Sequence, residues 1–146
     1  MQCRFVFVFA VAVVTSAFAD ESPLERITRL HKECQSDPAT VVKDSVLEDA
    51  RKGNVDVDAI GPHTLCMNVK LGMQKPNGDI DKDELREAVK KLGNNINEAT
   101  VENIVNDCGK RVEDTPNEAA ITLYQCYARH AKTTHGKHLE SLTGTD

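Results

Sequence analysis

The sequence predicts an all-α domain, a compact bundle of about six helices held by two disulfides. Hydrophobic spacing is helical along nearly the whole chain, and no segment alternates as a half-buried strand does. Four cysteines, Cys34, Cys66, Cys108 and Cys126, follow a short apolar leader. Ser22-Pro23-Leu24-Glu25 and Thr115-Pro116-Asn117-Glu118 are capping boxes with Pro at the first helical position, and Asp81 with Glu84 is a third start signal.

The leader explains the setting in which those cysteines act. Arg4 precedes an unbroken apolar run from Phe5 to Val14, and Ala17-Phe18-Ala19 fits an A-x-A cleavage site. The run is too short to cross a bilayer as a helix. Residues 1–19 therefore read as a signal peptide and residues 20–146 as a single secreted domain. All four Phe residues and Cys3 leave with the leader, so Tyr124 and Tyr127 are the only aromatics of the remaining chain and its core must be aliphatic. Loss of Arg4 makes the charge one unit more negative than the −5 of the whole sequence. An acidic chain of this kind disfavours nucleic acid and stable association with an anionic membrane. No Asn-x-Ser/Thr triplet occurs, so N-glycosylation is not expected.

The first helix is expected from about Pro23 to Gln35, with Leu24, Ile27, Leu30, His31 and Cys34 on one side, and Asp37-Pro38 ends it. The second covers about Ala39 to Lys52, with Val42, Val46 and Ala50 in step, and closes at Gly53-Asn54. A third starts near Gly61-Pro62 and reaches about Met73. Leu65, Cys66, Val69 and Met73 line one side of it and Met67 and Leu71 another, so it should be buried nearly all round. The fourth and fifth share one template. Leu85, Ala88, Val89 and Leu92 stand at i, i+3, i+4, i+7, as do Val101, Ile104, Val105 and Cys108, with Gly93-Asn94-Asn95 between the two helices. The sixth, about Pro116 to Ala131, carries Ala120, Leu123, Tyr124 and Tyr127 on one face with Cys126 beside them. Lys132 to Asp146 reads as a mobile polar tail.

In an oxidising compartment four cysteines allow three connectivities, and the sequence alone does not choose among them. A zinc site is disfavoured because no C-x-x-C pair occurs. No metal or other cofactor is expected.

The three gaps between these cysteines hold 31, 41 and 17 residues. This resembles the insect odorant-binding protein family, whose six cysteines are separated by roughly thirty, three, roughly forty, about eight to fourteen, and eight residues. If the four here are the first, third, fourth and sixth of that set, the second position is Pro62 and the fifth is Asn117. In the family those two bond to each other, so the chain resembles the four-cysteine "minus-C" branch. The loop Lys75 to Asp81 also contains Gly78-Asp79-Ile80-Asp81, similar to a Gly-x-Ile-Asp turn common in the family. The resemblance implies disulfides 34–66 and 108–126. It further implies a carrier that encloses a small apolar cavity and solubilises odorants, pheromones or other lipophilic molecules in an extracellular fluid. A membrane receptor would be a further partner, and a monomer or weak dimer is expected.

For such a cavity the apolar faces nominate Ile27 and Leu30 on the first helix, and Leu65, Val69 and Met73 on the third. Leu85, Val89 and Leu92 follow on the fourth, Ile104 on the fifth, and Leu123, Tyr124 and Tyr127 on the sixth. The two phenols offer hydroxyls to a polar head group. His31 and His63 are placed to sense pH near the cavity, whereas His130, His135 and His138 read as solvated tail histidines. The stretch Met73 to Glu84 imitates half an EF-hand, with Gly78, Ile80, Asp81 and Glu84 at positions six, eight, nine and twelve. Met73 and Lys75 stand where calcium needs oxygen ligands, which disfavours a calcium-binding module. No nucleophile and base share a local signature, so no catalytic residue is nominated and the chain does not read as an enzyme. A secreted helical signalling protein with a receptor-binding surface is the competing function.

Overall fold

A computed structural model of the chain describes residues 21–93 and 95–135, and of residues 132–135 the backbone alone. The expected signal peptide and most of the expected tail lie outside the described residues. Within them are six α-helices and no strand: α1 (Pro23–Ser36), α2 (Asp44–Arg51), α3 (Val57–Leu71), α4 (Lys82–Leu92), α5 (Glu98–Cys108) and α6 (Pro116–His135).

The helix starts form where side-chain oxygens satisfy otherwise unpaired N–H groups. At α1 the Ser22 hydroxyl accepts from the Glu25 N–H, and the Glu25 carboxylate accepts from the Ser22 N–H at 2.9 Å. Thr115 and Glu118 make the same reciprocal pair at α6, at 3.2 and 3.3 Å. Asp81 accepts from Asp83 and Glu84 at α4, and Asn97 accepts from Thr100 at α5.

Two helices start elsewhere than their hydrophobic pattern suggested, and α6 runs further. The segment after Asp37 finishes α1 before α2 can begin. Ala39 donates to the Asp37 carboxylate, the Thr40 hydroxyl to the Cys34 carbonyl, and Val42 exchanges two hydrogen bonds with the Gln35 carboxamide. α2 therefore starts at Asp44 rather than Ala39. α3 begins earlier, at Val57, because Asp56 caps it through the Ala59 N–H at 3.1 Å. Pro62 lies inside the helix, where it removes one hydrogen bond. α3 stops at Gly72, whose φ of 78° favours a residue without Cβ. α6 continues through the polar residues after Ala131 as far as His135.

α3 is the central helix. It packs on α1, α2 and α6, and only Asp58 and Lys70 along its length are exposed. α4 packs on α5, and α5 on α6, so α6 joins the two sets. Cys34–Cys66 ties α1 to α3 and Cys108–Cys126 ties α5 to α6, the pairing that the resemblance implied. α3 and α6 approach directly at Gly61 and Asn117. A Cβ on Gly61 would lie 2.7 Å from the Asn117 Cβ, so only glycine fits there.

Candidate functional site

The twelve nominated cavity residues divide between two environments. Met73, Leu85, Val89, Ile104 and Leu123 lie in a closed aliphatic core with Ala88, Val101, Val105, Cys108 and Cys126, each of the five at most 3% exposed. Leu92 and Tyr127 are half-buried against that core. These five side chains are packed against one another. Leu30 is buried outside this cluster. Ile27, Leu65 and Val69 are half-buried and belong to the other half of the molecule.

Tyr124 is the most informative of the twelve. It remains 47% exposed. Nevertheless desolvation pushes its phenol up in pKa, and the Arg51 guanidinium at the end of α2 pulls it only part of the way back. Desolvation raises the Tyr127 phenol as well. Both rings are on α6, three residues apart and so on neighbouring faces of one helix.

His31 and His63 meet. His63 Nδ1 lies 2.9 Å from the Thr40 carbonyl and His63 Nε2 lies 3.0 Å from His31 Nδ1. A carbonyl can only accept, so His63 carries its proton on Nδ1 and His31 donates to His63 Nε2. The rings stand edge to face, with centroids 4.9 Å apart. Burial disfavours the charged ring and lowers the His63 pKa; the Thr40 hydrogen bond opposes this and the neighbouring His31 adds to it. Protonation of His63 would place a second N–H against that of His31, at the junction of α1, α3 and the turn before α2.

A buried polar chain escaped the sequence reading. The Asn68 carboxamide donates to the Ala120 carbonyl at 3.0 Å and to Gln74 at 3.1 Å, and Gln74 donates to the Gly78 carbonyl at 3.0 Å. Both side chains are buried. The available signal was Asn68 itself, a lone carboxamide within the apolar stretch from Leu65 to Val69.

The acidic side chains of the loop before α4 have partners within the protein. Asp79 accepts from Arg111 at 2.9 Å, and Asp81 caps α4 while facing Lys75 at 3.6 Å. His130 is also not a tail histidine: it stands within α6 and its Nε2 is 3.1 Å from Asp107. His135 closes that helix and His138 lies outside the described residues. The His130 ring and the sulfurs of Cys108 and Cys126 lie within 4.8 Å of one another. Those sulfurs form a disulfide and have no thiolate to offer a metal.

A family model described as PBP/GOBP matches residues 16–130, most of the chain and five of the helices entirely. The chain belongs to the PBP/GOBP family, the insect odorant-binding family. No curated protein matches it. The family consists of binding proteins rather than enzymes. No helix among the described residues is long and apolar enough to cross a membrane.

Proposed function

We propose that this protein is a secreted carrier that binds and solubilises small hydrophobic molecules, odorants, pheromones or other lipophilic compounds, in an extracellular fluid. The observation that carries this is that Ile27, Leu65, Tyr124 and Tyr127 keep accessible surface while the aliphatic core closes over its own members. Family membership supports it. Aliphatic side chains supply most of the contact, and the two phenols orient a polar end. A leader over residues 1–19 fits export, and a monomer or weak dimer suits delivery to a membrane receptor. The close packing of Gly61 on Asn117, beside the Pro62 and Asn117 positions where the resemblance puts a disulfide, supports the four-cysteine reading.

Displacement of a fluorescent apolar probe tests the proposal. Long-chain alcohols, esters or fatty acids should compete saturably at about one site per chain. A chain that takes up no probe is not a carrier.

A further inference from the structure

His31 and His63 offer a chemistry that neither the aliphatic core nor the phenols of α6 can supply. Their facing nitrogens, His31 Nδ1 and His63 Nε2, are 3.0 Å apart. Imidazole nitrogens bind zinc at about 2.0–2.1 Å, so two of them on one tetrahedral ion stand about 3.3 Å from each other. The pair is therefore within a few tenths of an ångström of the spacing that chelation requires. Turning the rings away from their direct hydrogen bond brings both lone pairs toward one point.

His63 is oriented as a metal-bound histidine is oriented. Its Nδ1–H donates to the Thr40 carbonyl at 2.9 Å, which keeps the lone pair on Nε2 and fixes the plane of the ring. The residue is 5% exposed, and burial favours the uncharged ring, the form that ligates. His31 is half-buried, so an ion reaches the pair from its side. Both helices are fixed at this level. Cys34 follows His31 by three residues and Cys66 follows His63 by three, about one turn along α1 and α3, and their disulfide joins those turns. A covalent link thus sets the separation of the rings before any ion arrives, which lowers the cost of bringing two ligands together.

We propose that His31 and His63 form a two-histidine chelate for a late first-row divalent cation, with His31 Nδ1 and His63 Nε2 as its ligands. For binding, His31 carries its proton on Nε2 instead of Nδ1, and the ion takes the place of the hydrogen between the rings. Imidazole nitrogen selects copper(II) above zinc and both above calcium or magnesium, which take oxygen ligands. Water completes the coordination. The ion ties α1 to α3 beside the disulfide and stabilises the folded chain by mass action. None of this depends on the carrier reading, so the two fail separately.

Long-range ¹H–¹⁵N correlation spectra of the histidine rings, recorded on the full chain as zinc is added, test the proposal. His63 Nε2 and His31 Nδ1 should move saturably to the shifts of metal-bound nitrogens, with about one ion per chain, while His63 keeps its proton on Nδ1. Calcium and magnesium should leave both rings unshifted. H31Q should weaken zinc binding at these nitrogens at least tenfold, and H130Q should leave it unchanged. The spectra of the unaltered chain decide the matter even if a variant does not fold. Zinc shifts confined to His130, His135 and His138, or shifts at His31 and His63 that never saturate, would overturn the proposal.

Discussion

The α4–α5–α6 side of the molecule and the α1–α2–α3 side are held together by different means. On the first, ten mutually packed residues, from Met73 to Cys126, bury aliphatic surface almost completely, and Leu85, Val89 and Val105 are at 0% exposure. On the second, α2 has no buried residue and fewer apolar side chains are buried, Leu30, Cys34 and Val42 among them, while the links include a disulfide, the Glu33 to Lys70 ion pair, the His31 to His63 to Thr40 hydrogen bonds, and the Gln35 to Val42 pair. A side assembled from dispersion contacts leaves no surface for a guest. One assembled from directional bonds and a covalent tie can leave apolar side chains accessible, and there Ile27 and Leu65 remain so, as Tyr124 does on α6.

The largest effect expected from this division is on stability. Leu123→Ala, in the closed core, should cost about 2 to 5 kcal/mol in denaturant unfolding, whereas Leu65→Ala, on the accessible side, should cost roughly 1 kcal/mol. The order should reverse for binding: Leu65→Ala and Tyr124→Ala weaken probe affinity several-fold, and Leu123→Ala leaves it nearly unchanged in the folded fraction. Equal stability losses for the two leucines would erase the distinction.

Next in size is the covalent tie. Cys34→Ser with Cys66→Ser opens a link between residues 32 apart, and should cost about 2 to 4 kcal/mol. Because fewer buried contacts back up that side, probe affinity should fall with it. The Cys108→Ser/Cys126→Ser pair, backed by the aliphatic core, should lose similar stability and keep more of its affinity. Calorimetry and probe titration on both double variants separate the outcomes.

A smaller loss, about 1 to 3 kcal/mol, is expected for Gly61→Ala, whose new methyl would press on Asn117. Adding Asn117→Gly should restore most of it by removing the Cβ in the way. Failure of that rescue would mean that α3 and α6 are not held at this contact.

The smallest effect is the dependence on pH. Folding lowers the His63 pKa, so below its ordinary value of about 6.5 the unfolded chain binds more protons than the folded one. The stability contributed by the neutral ring is complete above that value and is lost as pH falls toward the lower folded pKa, at up to about 1.4 kcal/mol per pH unit. His63→Gln should flatten the stability profile between pH 7 and 5. Ligand affinity should fall over the same interval in the unaltered chain, since the strained junction lies on the accessible side; constant affinity would separate the histidine pair from binding.

These regions differ in how plainly the sequence displays them. The capping boxes at Ser22 and Thr115, and the shared pattern of α4 and α5, act between residues three or four apart, and each formed where it was expected. The start of α2 did not, because Gln35 reaches across seven residues to Val42, and no local pattern displays such a bond. Pro62 resembled a first-turn proline, whereas the Asp56 cap places it well inside α3. For the site, apolar periodicity identified faces that point inward but could not separate a packed side chain such as Leu85 from an accessible one such as Leu65. That difference depends on how completely neighbouring helices close over each face.

Ligand-to-protein nuclear Overhauser contacts, measured with a bound long-chain alcohol, test the division most directly. Contacts to Tyr124, Tyr127, Ile27 and Leu65 are expected, with none to Leu85, Val89 or Val105. A ligand found among those last three side chains would contradict it, because the aliphatic core would then be the cavity and the accessible side only its cover.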